Sequence, residues 1–225
     1  MMASVPGWGS TDAVHPRKKL ELAALRLFAE KGFESASTRE IADAAGTNIS
    51  AIRYYFGDKA GLYRAAFTEP LNEFPEQHCA DIDLGLPLLA ALQKFFGEFL
   101  SPLKHGEAVR QVMKLHFREM IEPTGAWEEA IEAEIKPQHA ALVKMLSRRF
   151  GVGEPDIDVQ RLAFSIVGMA VHYFVGRDVV DAIAPAVLGS PEAIDTLAER
   201  LAHYSTAMIE AEAARRNAPP QGSVS

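Results

Sequence analysis

The stretch from Ser37 to Lys59, STREIADAAGTNISAIRYYFGDK, restricts what this chain can fold into more than any other. It carries two short helical patterns with only a tight turn between them. Ser37 followed by Glu40 three residues later is a capping box, with the serine closing the first turn and the glutamate reaching back. Ile41, Ala42 and Ala45 form an apolar stripe at helical spacing, and Gly46 supplies the residue that ends the helix. Asn48 then caps a second helix, ISAIRYYF, which Gly57-Asp58 stops. Two short helices about a tight turn make a helix-turn-helix, and the second is built like a recognition helix.

Asn48 to Phe56 spans about 13 Å at 1.5 Å per residue, which suits a major groove about 12 Å wide. Ile52 and Phe56, four apart, are expected to face the helix-turn-helix core. That turns Ile49, Ser50, Arg53 and Tyr54 toward solvent or DNA. Ile49 has the chemistry to touch a thymine methyl, and Arg53 to pair with guanine or hold a phosphate. Thr38, Tyr54, Tyr55 and Lys59 supply the hydroxyl and ammonium donors that phosphates accept.

A net charge of −7 argues at first against a nucleic-acid partner. The charge is not evenly placed. Residues 1–68 hold 9 Lys and Arg against 7 Asp and Glu, a balance of +2, whereas residues 69–225 hold 14 against 23, a balance of −9. The only positive segment therefore carries the helix-turn-helix, and the placement of charge decides the matter rather than its total. The single cysteine, Cys79, leaves no internal disulfide and no CxxC motif, in keeping with a reducing, cytoplasmic setting. The N-terminus lacks the pattern of a signal peptide. The most apolar run, Leu162–Val175, is 14 residues long, short of the roughly 20 that span a bilayer, so no membrane association is expected.

Residues 1–15 have no periodicity and read as a flexible arm. A first helix opens at Pro16 and buries Leu20, Ala24, Leu27 and Phe28, with Gly32-Phe33 as its stop. Arg17, Lys18 and Lys19 at its start suit either a solvated helix end or neighbouring phosphates. Asp58 caps a fourth helix carrying Leu62, Ala65 and Ala66 inward, which Pro70 interrupts. Residues 70–83 mark the boundary between two units. Further helices are expected over Leu84–Leu103, Glu107–Ile121, Trp127–Phe150, from Asp156 to about Gly176, and from Ser190 to Arg216, before a flexible tail at 217–225. The fold is expected to be all-α, with about nine helices. A helix-turn-helix domain covers residues 16–67, and a helical bundle domain covers 68–216.

At Thr38, Ile41, Ala42, Ala45, Gly46, Thr47, Asn48, Ile52, Tyr55, Phe56, Lys59 and Leu62 the stretch Thr38–Tyr63 resembles the DNA-binding domain of the TetR family of bacterial transcriptional regulators. The resemblance implies that Arg39, Ile49, Ser50 and Arg53 sit where that family touches bases. It implies that Thr38, Tyr54, Tyr55 and Lys59 sit where it holds phosphates, and Asn48, which caps the helix between them, is counted with these residues as DNA-binding. Thr47 stands for the usual valine, Asn48 for the usual serine and Arg53 for the common tyrosine, so the operator sequence is not transferable from relatives. The segments FREMIEPTGAW, KPQHAALVKML and RLAFSIVGMAVHYF resemble the effector and dimerisation domain of the CerR/YbiH-type branch, over most of residues 84–215.

In the second unit Phe95, Phe99, Met113, His116, Phe117, Met120, Met145, Met169, His172 and Tyr173 are either core or the lining of an effector pocket. That a cavity exists is implied mainly by the resemblance. His116 and Glu119 stand three apart, a spacing a metal can use, and His139 and His172 are further candidates. Without an HxxxH or a cysteine pair, no metal site and no cofactor is assigned. No GxSxG, Gly-rich phosphate loop or cysteine nucleophile pattern points to an enzyme. Ala163, Ile166, Val167, Ala170 and Phe174, with Ile194, Leu197, Leu201 and Met208, form two apolar stripes expected to meet their symmetry mates in a four-helix bundle. The reading is a homodimeric repressor that binds a pseudo-palindromic double-stranded DNA operator and is released by a small apolar or amphipathic effector. The alternative is a helical ligand-binding protein whose N-terminal hairpin only packs.

Overall fold

The computed structural model describes residues 15–72, 82–105, 107–125, 128 and 131–218, with the backbone alone at 71, 72, 107, 108, 133 and 134. Most of the expected arm, most of the boundary segment 70–83, Trp127 and most of the tail lie outside the described residues. Ten α-helices and no strand occur among those described, arranged in two compact units, Met1–Pro70 and Leu71–Ser225.

The first unit contains α1 (Pro16–Ser35), α2 (Thr38–Ala44), α3 (Ser50–Phe56) and the start of α4 (Lys59–Asn72). Helices of seven residues do not hold alone in water, so α2 and α3 depend on caps and packing. Gly32 takes a φ of 82° and breaks the regular course of α1, as its glycine invites. Gly46, at φ 62°, closes α2 while the Thr47 N–H reaches back to the Ala42 carbonyl at 3.0 Å, a Schellman closure. The core is made by Leu20, Ala24, Leu27 and Phe28 of α1, Ile41 of α2, Ile52 of α3, and Leu62, Ala66 and Phe67 of α4, all buried. Tyr63 sits edge-on to Phe28 at 5.0 Å and to Phe33 at 5.1 Å. Each such buried aromatic contributes about 1.5–3 kcal/mol by leaving water.

The turn from α3 to α4 fixes α3 at its far end. Asp58 caps α4 by accepting the Gly61 N–H at 2.7 Å. Gly61 itself lies so close to the Phe56 carbonyl that a Cβ there would stand 2.0 Å from that oxygen. No residue but glycine fits.

The second unit contains α5 (Leu88–Leu100), α6 (Glu107–Ile121), α7 (Lys136–Phe150), α8 (Ile157–Val175), α9 (Arg177–Ile183) and α10 (Pro191–Asn217). The helix expected over Leu84–Leu103 is shorter. Asp83 accepts the Gly85 N–H at 2.9 Å in a turn, and Pro102 converts the far end to a 3-10 turn at Ser101–Lys104. The helix expected over Trp127–Phe150 is also divided. A wide π-type turn at Ile131–Ile135 leads into α7, whose first turn holds Pro137, where its missing N–H is no loss. Beyond Gly176 the chain forms one further helix, α9, that the sequence pattern does not separate.

Asp156 caps α8 by accepting the Asp158 and Val159 N–H groups at 3.0 Å each, and Ser190 caps α10 through the Ala193 N–H at 3.2 Å. The Asp156 carboxylate also takes a bidentate pair from Arg216 at 2.7 and 2.9 Å, and Asp158 takes Arg215 at 2.8 Å. These pairs set the start of α8 beside the end of α10. The core lies between α5 and α10, closed by α7 and α8, with Phe95, Phe96, Leu142, Leu146, Ile166 and Leu201 at its centre.

Candidate nucleic-acid interface and effector region

Ser37 accepts the Glu40 N–H at 3.1 Å, the serine half of the capping box. The Glu40 carboxylate does not reach back as expected but pairs with the Lys31 ammonium, tying α2 to α1. Asn48 performs the capping of the second helix, since its Oδ1 accepts the Ser50 N–H at 2.9 Å and the Ser50 hydroxyl at 2.8 Å. Ile52 anchors α3 inward at 3% exposure. Phe56 is half-buried, its ring 5.1 Å below the Arg17 guanidinium.

With Ile52 turned in, the opposite side of α3 is open. Ile49 is 49% exposed and Tyr54 81% exposed, large values for such side chains. Asn48, Ser50, Arg53 and, on α2, Arg39 are exposed as well, while Thr38, Tyr55 and Lys59 are half-buried. Tyr55 packs edge-on against Tyr54 at 4.8 Å and against the His15 ring at 5.6 Å. Lys59 donates to the Glu34 carbonyl at 3.2 Å and lies 4.6 Å over the Phe33 ring, so its ammonium is held by the end of α1. His15 was not singled out by the sequence reading. Its position at the cap of α1, against Tyr55, follows only from the folded geometry.

The basic cluster at the start of α1 is largely internal. Arg17 makes a bidentate pair with Glu69 of α4 at 2.7 and 2.5 Å, and Lys18 pairs with the buried Glu21 at 2.6 Å. Burial pushes the Glu21 carboxyl up, and the Arg17 hydrogen bonds hold Glu69 below its ordinary range. Of the three cations only Lys19 is exposed. The group therefore clasps α1 to α4.

In the second unit the ten effector candidates separate by burial. Phe95 is fully buried and Met145 nearly so, both within the core. Met120, at 52% exposure, and His172 stand on the surface. Met113, Met169 and Tyr173 are half-buried. Phe99 and Phe117 are half-buried too, and both meet Phe174, at 5.9 and 5.2 Å between ring centres. His116 is buried beside them in sequence, its Nδ1 2.8 Å from the Val112 carbonyl, and burial pushes its pKa down to about 4. Glu119 is fully buried and accepts the Thr124 N–H at 2.6 Å and its hydroxyl at 3.0 Å. Among the described residues no group of three or more His, Cys, Asp or Glu is placed to hold a metal.

The stripes expected at the dimer surface are mostly turned inward. Ala163, Ile166 and Ala170 are fully buried, and Ile194, Leu197 and Leu201 nearly so, within the protomer's own core. Val167, Phe174 and Met208 are half-buried. These six pack within the protomer's own core, which leaves little of their surface for a second chain. The face that α8 leaves open is another one, with Ile157, Phe164, Gly168 and Val175, continued on α9 by Val179 and Ile183. Phe164 is 66% exposed and stacks on His139 at 4.4 Å, whose Nε2 is 2.7 Å from the Gln160 side-chain oxygen. No single helix among the described residues is long and apolar enough to cross a membrane.

With these units in view, residues 22–66 match the family model described as bacterial regulatory proteins, tetR family, and residues 88–212 match that of the HTH-type transcriptional dual regulator CecR, C-terminal domain. The HTH-type transcriptional dual regulator CecR of Shigella flexneri is 29% identical over 175 residues, covering 73% of this chain and 78% of the relative. Among solved structures, the fatty acid degradation regulator FadR from Bacillus halodurans superposes with a TM-score of 0.58 at 16% identity, covering 87% of this chain and 96% of that one. AibR in complex with isovaleryl coenzyme A and operator DNA superposes with a TM-score of 0.55 at 21% identity, over 71% of this chain and 86% of that one. Likeness at these identities speaks for the fold.

Proposed function

Because the chain belongs to the TetR family of bacterial regulatory proteins, with a CecR-type C-terminal domain, we propose that it is a homodimeric repressor released from its operator by an apolar or amphipathic small molecule. One observation carries the reading. The outward side of α3 presents Ile49, Arg53 and Tyr54 to solvent, held in place by Ile52 beneath and by caps at both ends. An isoleucine and a tyrosine so exposed beside an arginine have no role in the unit's own core, and they fit a major groove.

Two copies of α3 reach a pseudo-palindrome only if two chains pair about a two-fold axis. The uncovered face of α8 and α9 supports that pairing. Phe164, Val175 and Ile183 are large apolar groups in water, and a Cβ at Gly168 would meet nothing within 4 Å, which leaves room for a close helix approach. The effector contacts are assigned to Phe99 and Phe117, which both meet Phe174, and to Phe174 itself, none of them sealed in the core. An effector that binds one dimer state better than the other shifts the population toward a spacing of recognition helices that no longer fits DNA.

The test is affinity for genomic fragments that the purified protein selects, measured across salt and with added amphipathic ligands. A coenzyme A thioester is one probe to include, being the ligand in the AibR complex. The proposal expects a steep salt slope and a loss of affinity with one ligand class. Flat salt dependence, or equal affinity with every ligand that binds the second unit, overturns it.

A further inference from the structure

The sequence offers Arg17 either to water or to a phosphate, and the fold gives it two other partners. Its two terminal nitrogens fork onto the Glu69 carboxylate at 2.7 and 2.5 Å. The face of the guanidinium lies 5.1 Å from the centre of the Phe56 ring. A carboxylate fork fixes the plane of the group, and that plane then decides where an aromatic ring can stack. Beside it the His15 ring stands edge-on to Tyr55 at 5.6 Å, its Nδ1 accepting the Arg17 backbone N–H at 3.4 Å. The start of α1 therefore touches both of the last two residues of α3.

Glu69 stands one residue before Pro70, where the first unit ends and the chain continues into the second. A displacement arriving along the chain from that side enters the first unit at the end of α4. Phe56 is the last residue of α3, a helix of seven residues whose direction is set by what holds its ends. Its carbonyl is packed against Gly61 and its ring against Arg17. The Arg17–Glu69 pair is partly exposed, and such pairs add little to stability. What it supplies is a fixed orientation. Resting on the regulator reading above, we propose that Arg17 is a positioning residue for DNA binding. Through Glu69 and Phe56 it ties the end of α3 to the end of α4, so the angle at which Ile49, Arg53 and Tyr54 meet the groove follows α4. With both terminal nitrogens on Glu69 and one face on Phe56, the guanidinium is not a phosphate contact.

The full-length protein and the genomic fragments that the wild type selects provide the test. Arg17→Lys keeps the charge but has neither the fork nor the flat face. It is expected to weaken DNA binding about tenfold, and Glu69→Gln and Phe56→Leu about fivefold each. The losses should not add. Arg17→Lys combined with either of the others should bind no worse than Arg17→Lys alone, because all three break one link. Urea unfolding of Arg17→Lys and Glu69→Gln should stay near that of the wild type, so that the loss lies in the shape of the folded protein and not in the folded fraction. In Arg17→Met the salt slope should keep its wild-type value, and a slope reduced by about one marks a phosphate contact and overturns the proposal. Additive losses overturn it too, as do losses that track a fall in stability, or wild-type affinity in both Arg17→Lys and Glu69→Gln. If the wild type itself shows no salt-dependent DNA binding, the regulator reading fails, and the link is judged by the NMR signal of the Ile52 δ-methyl group in α3. Arg17→Lys and Glu69→Gln should move that signal in the same direction, and a signal that neither moves overturns the link as well.

Discussion

The two units are both helical, yet they differ in how their sequences encode them. In the first, nearly every structural decision is local. Ser37, Asn48 and Asp58 each cap a helix, Gly46 and Gly57 take positive φ where helices stop, and the apolar residues available to face inward are few. In the second, long helices are apolar on more than one side. Along α8, Ala163, Ile166 and Ala170 are buried while Phe164, one residue on, is 66% exposed. Caps tell where such a helix begins, but not which of two apolar stripes belongs to its own protomer.

The sharpest break of this contrast is at Gly61. A methyl group there would overlap the Phe56 carbonyl, a backbone atom that moves only if the end of α3 moves. Gly61→Ala is expected to cost about 4 kcal/mol, the range of exceptional single substitutions, and to abolish DNA binding. Hydrogen exchange at the Ile52 amide should rise while amides of α5 and α10 keep their protection. Unchanged exchange at Ile52 would show that the turn can shift at little cost.

That result bears on what could be read in advance. The helix-turn-helix was legible to the residue because its signals are hydrogen bonds between neighbours in sequence, as in Asn48 with Ser50. What escaped there was long-range: the Glu40 carboxylate going to Lys31, Arg17 to Glu69, and Lys59 to the Glu34 carbonyl. Each is a charge whose partner lies nine or more residues away, which spacing does not reveal. In the second unit the element order was legible and the faces were not. Periodicity ranked Ala163, Ile166 and Ala170 as an apolar stripe, correctly, but a stripe bound for the core and one bound for a partner chain look alike. Pro137 misled for a related reason, since a proline inside an apolar run also marks the first turn of a new helix.

The faces of α8 can be separated directly. Ile166→Ala removes a fully buried side chain and is expected to cost about 3 kcal/mol by chemical denaturation. Phe164→Ala removes an exposed one and should leave the unfolding of the protomer within about 0.5 kcal/mol, while shifting the dimer toward monomer by analytical ultracentrifugation. The reverse pattern would restore the original stripe as the dimer surface.

His116 gives the second unit a pH dependence that the first does not share. Its pKa is pushed down from an ordinary 6.5 to about 4, chiefly by burial, with the Val112 carbonyl and Glu119 acting weakly the other way. Between those values the unfolded chain carries the proton and the native one does not, so stability is full above about 6.5 and falls as pH drops toward 4. The loss attributable to this residue amounts to about 3 kcal/mol across the window. Urea unfolding of wild type and His116→Gln at pH 7 and pH 4.5 isolates it, because the other titrating groups are common to both. Parallel pH slopes for the two proteins would rule His116 out as the source.

The smallest effect concerns the one place where the locally encoded unit departs from its own pattern inside the turn. Thr47 donates its backbone N–H to the Ala42 carbonyl at 3.0 Å, which any residue could do. Its side-chain hydroxyl, however, is buried with no hydrogen-bond partner among the described residues. An unmet buried hydroxyl is unfavourable, whereas a methyl group of the same shape is not. Thr47→Val keeps the branched shape and the backbone bond, and should stabilise the helix-turn-helix by about 1 kcal/mol. The gain should slow exchange at the Ile52 amide about fivefold and leave the second unit untouched. A loss of stability instead would mean that the hydroxyl is satisfied by water, and that the turn is as well matched to its sequence as the caps on either side of it.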